Sequence, residues 1–188
     1  MPLWRMLAPF GAMAGAAAVS AHRLAARNPR LGAGDRFSAS WFALCGFLHC
    51  CFEGYFLLSR ATLASSGGLF SQLWKEYALS DSRYLTGDVF TLCVEAITVT
   101  VWGPLSLAAA ASVVLGSPRR HFLQVVVSTA HLYGVALYYA TNEVAAAATA
   151  TSYSRPEPLY YWVYYVGFNA PWAVVPLCGR GGITDAAV

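Results

Sequence analysis

The sequence predicts an all-α polytopic membrane protein, a five-helix transmembrane bundle with an intramembrane cavity. Three observations predict it: 57% of the residues are hydrophobic, only 11% are charged, and the charges gather in short blocks between long apolar runs. A soluble domain carries about 25% charged residues, and a helix needs about 20 mostly apolar residues to cross a bilayer. The same hydrophobicity excludes a disordered chain. A dispersed net charge of +3 excludes a nucleic-acid partner. At 188 residues the chain is expected to form one domain, 1–188.

Five apolar segments are predicted as spans: about Leu3–Ser20, Ser38–Leu58, Phe90–Leu115, Phe122–Thr141 and Leu159–Leu177. The first carries Arg5 and is followed by A-x-A-like sites, so a cleaved signal peptide is the alternative; its length and the span that follows favour a retained helix. The first connection holds Arg23, Arg27, Arg30 and Arg36, and the third holds Arg119 and Arg120. The positive-inside rule puts both in the cytosol, with a lumenal N-terminus and a cytosolic C-terminus. The second connection, LFSQLWKEYALSDSRY, spaces Leu73, Trp74 and Tyr77 as a short helix across the mouth of the bundle, or else as a surface helix. Alanine-rich patches at 16–18, 108–111 and 145–148 suit helix association, so a homodimer is compatible with the sequence.

Cys45, Cys50, Cys51, Cys93 and Cys178 all fall in apolar segments, with no C-x-x-C pair. They read as small hydrophobes, not as a disulfide framework or a zinc site.

Ionisable groups inside a span are costly and usually face the bundle interior. Glu53 and Glu95 are the two acids deep within predicted spans, accompanied by His49, His131, Thr98 and Asn169. His49 and Glu53 are four residues apart in GFLHCCFEGYF; at about 100° per residue they share a helix face. Such a pair can hold a proton ready for donation; a structural hydrogen bond is the alternative. Glu95 and Thr98 are three apart, with Trp102 one turn on, and suit either a base or helix glue. Asn169 and Trp172 are also three apart. Asn169 could orient a carboxylate, and Trp172 could offer its face to a cation or anchor the span at the interface. His131, on one helix with Tyr138, reads as a core hydrogen-bond partner. Together these groups supply an acid, a base and a cation receptor. No phosphate loop, dinucleotide fingerprint or metal-ligand cluster is visible, so no cofactor and no metal is expected. The chemistry left is redox-neutral proton transfer on an apolar substrate arriving through lipid.

These residues resemble the emopamil-binding protein family, sterol Δ8–Δ7 isomerases of the EXPERA group. The resemblance runs from WFALCGFLHCCFEGYF through SQLWKEYALSDSRYLTGD, VEAITVTVWGPLSL and LQVVVSTAHLYG to FNAPWAVVP, that is, from Trp41 to Pro176. It implies a five-helix bundle in the endoplasmic reticulum membrane, with a cavity open to the lipid. It makes His49, Glu53 and Glu95 catalytic and Thr98, Asn169 and Trp172 substrate-binding. Tyr77, Arg83 and Tyr84, with Trp74 nearby, line or close the pocket. The implied reaction protonates a Δ8 sterol at C9 and removes a proton from C7. His49–Glu53 would donate, and Glu95, oriented by Thr98 and Asn169, would stabilise the cation. Lipophilic amines would mimic that cation and bind as inhibitors.

The departures are His131, where a glutamine is expected, and Pro171, which can kink the last span between Asn169 and Trp172. The family's soluble N-terminal extension has no counterpart, and the tail carries no strong retrieval signal. The rival functions are a non-catalytic sterol- or amine-binding membrane protein, an isomerase of another polycyclic lipid, and, least compatible with the aromatic walls, an ion pathway.

Overall fold

The computed structural model describes residues 2–179, and among these every regular element is helical. The tail, with any retrieval signal, lies outside the described residues. Helix α1 is Leu3–Ala26, α2 is Ala33–Ser59, α3 is Leu69–Tyr77 and α4 is Arg83–Thr86. Helix α5 is Val89–Val114, α6 is Arg120–Thr149, α7 is Leu159–Gly167 and α8 is Pro171–Gly179.

Among the described residues, α2, α5 and α6 are the helices long and apolar enough to cross a membrane. Their 26 to 30 residues rise about 39–45 Å, more than the hydrocarbon core of about 30 Å. Helix α1 has 24 residues, but Ala, Gly, Arg5, His22 and Arg23 dilute its apolar character. The expected last span is divided into α7 and α8. Pro171 has no N–H to continue the backbone ladder, so the helix opens at Ala170 and restarts. Helix α6 runs past the expected end at Thr141 to Thr149, because alanines 145–148 are the best helix formers and carry it on. The second connection is two short helices. Ser80 Oγ donates to the Tyr77 carbonyl at 2.6 Å, ending α3. Asp88 then N-caps α5, accepting from the Thr91 amide and hydroxyl at 2.8 Å each.

Helix α2 packs between α1 and α5, and α6 lies on α5 and α8. Trp41, Phe42 and Cys45 of α2 meet Ala109 and Ala110 of α5 and Val127 of α6, with Trp172 of α8 against them. A second cluster joins Ala21 and Ala25 of α1 to Ala39 and Val113. Small residues let these helices approach closely where lipid supplies no hydrophobic drive. The connections 27–32 and 115–119 lie at one end, where Arg120 reaches 3.8 Å from Asp35.

Helices α2 and α5 each contain a π-helical turn, Leu48–Glu53 and Thr98–Trp102, and α7 is π-helical throughout. Such turns rotate the side chains that follow relative to an α-helix and cluster at functional sites. The two turns of α2 and α5 face each other across Gly103. A Cβ there would stand 2.6 Å from Cys50 Sγ and 3.2 Å from His49 Cβ. Gly103→Ala is therefore expected to push α2 from α5, cost about 1–3 kcal/mol and shift His49. Thermal unfolding in detergent checks this; an unchanged midpoint would show that the helices yield freely.

Candidate active site

A half-open cavity of about 770 Å³ lies between α1, α2, α3, α5, α6 and the α7–α8 segment. That volume falls within the range of about 300–1,000 Å³ usual for small-molecule sites. Its walls are mostly aromatic and aliphatic, and the polar groups on them are few.

His49 and Glu53 project from the π-helical turn of α2. His49 Nδ1 lies 2.9 and 2.8 Å from the two Glu53 carboxylate oxygens. With Glu53 ionised, Nδ1 carries the proton and donates, leaving the Nε2 lone pair free. That Nε2 stands 3.2 Å from Nε2 of His131. Glu95, from α5, lines the same cavity as Glu53. Tyr84 Oη donates to Glu95 Oε1 at 2.8 Å; Oε2 is buried with no hydrogen-bond partner among the described residues. Burial raises the Tyr84 phenol well above its ordinary range, helped by the nearby Glu95 charge, so the group stays a donor.

The connector closes one side. Trp74 is buried, stacks on Phe52 at 4.4 Å and donates Nε1–H to the Phe52 carbonyl at 3.0 Å. That carbonyl sits in the π-helical turn, where the ladder changes register. Tyr77 Oη accepts from Asn169 Nδ2 at 3.0 Å and lies 3.4 Å from Tyr138 Oη. Burial raises the Tyr77 phenol too.

Of the sequence-predicted set, His49, Glu53, Glu95, Trp74, Tyr77, Tyr84, Thr98, Asn169 and Trp172 all line this one cavity. Arg83 does not. It forks onto buried Asp81 at 2.6 to 3.1 Å and donates to Thr141 Oγ1 at 2.9 Å. Its guanidinium lies 5.1 Å from the Tyr138 ring and 5.0 Å from the Tyr153 ring. Burial opposes its charge, but Asp81 outweighs that and holds its pKa above the ordinary value. Arg83 thus ties the connector to α6 and carries Tyr84, its neighbour, to Glu95.

Two orienting roles expected from sequence also change. Thr98 Oγ1 donates to the Val94 carbonyl at 2.9 Å, and Asn169 Nδ2 to Tyr77 and the Tyr165 carbonyl. The observed hydrogen bond to Glu95 comes instead from Tyr84. Pro171 does not turn its neighbours away: Asn169 and Trp172 both face the cavity, the Trp172 ring 6.1 Å from His49. His131, read as a core partner, stands in the wall beside His49. The cysteines, read only as small hydrophobes, include one in a potential ligand cluster: Cys45, His49 and His131 bring their ligand atoms within 4.8 Å of one another. Its sequence signal was the i, i+4 spacing of Cys45 and His49; nothing in one dimension supplied His131. Glu76, which accepts from Tyr164 at 3.3 Å, and Phe10 of α1 complete the wall and were missed.

Residues 69–179 match the model of the EXPERA (EXPanded EBP superfamily) family. The chain is 37% identical over 181 residues, 94% of its length, to the rat 3-beta-hydroxysteroid-Delta(8),Delta(7)-isomerase, covering 76% of that protein. It is 41% identical over 146 residues to the mouse protein of that name, covering 78% of this chain but 62% of that one. Isomeliandiol synthase of Melia azedarach is 36% identical over 143 residues, 76% of this chain and 65% of the plant protein.

Proposed function

The chain belongs to the EXPERA family, the expanded EBP superfamily, and from that premise we propose that it is a sterol Δ8–Δ7 isomerase of the endoplasmic reticulum membrane. One observation carries the reading. A hydrogen-bonded His49–Glu53 pair and Glu95, held by Tyr84, face one aromatic cavity large enough for a polycyclic lipid. The residues 1–188 form a single membrane domain. Helix α1 and the α7–α8 segment join α2, α5 and α6 as five spans around the intramembrane cavity. The cytosolic side carries the connections 27–32 and 115–119, which share one end and, with the helix ends beside them, hold Arg23, Arg27, Arg30, Arg36, Arg119 and Arg120. The N-terminus is then lumenal and the C-terminus cytosolic.

The Δ8 sterol enters through lipid with its ring system against Trp74, Tyr77 and Trp172. The His49–Glu53 unit gives a proton to C9, leaving a tertiary cation at C8. Glu95 stabilises that cation and takes the proton from C7, so that the electrons of the C7–H bond form the Δ7 double bond. Proton exchange between the two carboxyl groups resets the site. The face of Trp172 adds cation–π attraction of about 2 kcal/mol when desolvated. Tyr84 orients Glu95, Asn169 holds Tyr77 in the wall, Thr98 contributes wall contact, and Arg83 is a positioning residue. The same acidic, aromatic cavity binds lipophilic amines, whose ammonium takes the place of the cation. The small-residue helix faces permit a homodimer within the lipid.

The test is complementation of a sterol-isomerase-deficient yeast, with sterols profiled by mass spectrometry. The chain is expected to convert the accumulated Δ8 sterol to its Δ7 isomer. Glu53→Gln is expected to lower conversion by about 10²-fold or more while inserting normally. Near-normal complementation by that variant rejects its role as donor. Binding of sterol without conversion by the unaltered chain favours a lipid-binding protein instead. The second reading, another polycyclic lipid as substrate, draws on the 36% identity to a relative named for a different product; an unchanged Δ8 pool with turnover of another alkene would favour it.

A further inference from the structure

We infer that Cys45, His49 and His131 form a binding site for a divalent ion of the zinc class at the wall of the cavity. Cys45 and His49 lie one turn apart on α2, and His131 comes from α6. The two histidine Nε2 atoms are 3.2 Å apart, and Cys45 Sγ completes a set within 4.8 Å. Around tetrahedral zinc, with Zn–N near 2.0–2.1 Å and Zn–S near 2.3 Å, ligand atoms stand about 3.4 Å (N to N) and 3.6 Å (N to S) apart. The imidazole pair is therefore already at chelating distance. The thiol has at most about 1.2 Å to close, which a side-chain torsion can supply.

The surroundings fit an ion better than they fit three isolated groups. Cys45, His49 and His131 are 0%, 4% and 6% exposed, so all three polar groups are shielded from water. Glu53 accepts the hydrogen bond from His49 Nδ1–H and so leaves the Nε2 lone pair for the cluster, the carboxylate–histidine–metal arrangement that fixes a ligand's tautomer. Charge balances: binding releases one proton from the Cys45 thiol, and the remaining single positive charge of Zn²⁺ plus thiolate faces the Glu53 carboxylate. His49 and His131 both reach the cavity, leaving a fourth position open to a water molecule. Zinc has no geometric preference from its d-electrons and tolerates such an irregular set. A bound ion ties up His49, so it is expected to slow sterol isomerisation. That consequence rests on the proposed function; the binding itself does not.

The experiment is a Co²⁺ titration of the purified full chain in detergent, read by absorbance. The expected result is a thiolate-to-cobalt charge-transfer band that saturates at one equivalent and is bleached by Zn²⁺. Cys45→Ala is expected to remove the band, and Glu53→Gln to weaken Co²⁺ binding about 10–100-fold. His131→Gln, which keeps volume and polarity in the wall, is expected to weaken it at least tenfold. A folded wild-type chain without the band overturns the site. So does a band that persists in Cys45→Ala, which would assign the ligand to Cys50, Cys51, Cys93 or Cys178. In a parallel assay Zn²⁺ should slow sterol conversion by the wild type, reversibly by chelator, and spare Cys45→Ala relative to its own metal-free rate. Should the chain convert no sterol, the cobalt readout still decides the metal site.

Discussion

Glu95→Gln is expected to lower isomerase turnover by about 10²–10⁴-fold, the range that a positioned acid–base group contributes. The substitution separates chemistry from structure. Glutamine has the volume of glutamate, and its amide oxygen can accept the Tyr84 hydrogen bond that the carboxylate accepts at 2.8 Å. What it cannot do is neutralise a cation at C8 or take the C7 proton. Expression, membrane insertion and thermal midpoint should therefore stay near wild type while kcat collapses. Product analysis on purified protein checks this. A variant keeping more than a tenth of wild-type kcat would remove Glu95 from the reaction and leave it as helix glue.

The second large effect is on stability. Asp81 and Arg83 are 0% and 3% exposed, and the pair joins the connector to Thr141 of α6. Removing one partner of a buried ion pair costs about 3–5 kcal/mol, because the other charge is left without compensation. Arg83→Met and Asp81→Asn are each expected to lose that much. In a chain of this size that is on the order of 10 °C of thermal midpoint. The double variant, with no stranded charge, should lose less than the sum of the singles. Additive losses, or a single-variant loss under about 1 kcal/mol, would mean that the pair is not the clamp inferred from its hydrogen bonds. Activity should fall with the single variants as well, since Tyr84 follows Arg83 directly and holds Glu95.

These two cases differ in how far the sequence exposed them. Glu95 was visible as an acid in an apolar run, where its cost demands a role. Arg83 was expected only as a pocket residue, through the family resemblance, and its actual partners, Asp81, Thr141, Tyr138 and Tyr153, come from three segments of the chain. The source of Glu95's hydrogen bond was likewise hidden. Thr98 stood at helical spacing, but a threonine in a helix satisfies itself on the preceding turn, as its bond to the Val94 carbonyl shows.

By itself the sequence determined that the chain is helical, that it enters a membrane, and which polar side chains must turn inward. Hydropathy and the cost of a charge in lipid act along the chain, on each segment alone, and so can be read in one dimension. Tertiary structure decided the π-helical turns, the break before Pro171 and the meeting of His131 with His49. It decided too that Tyr84, not Thr98 or Asn169, bonds Glu95. Each of these depends on how one helix is rotated and how closely it approaches another. Packing fixes both, through contacts such as Gly103 against Cys50, and those contacts join residues far apart in the chain.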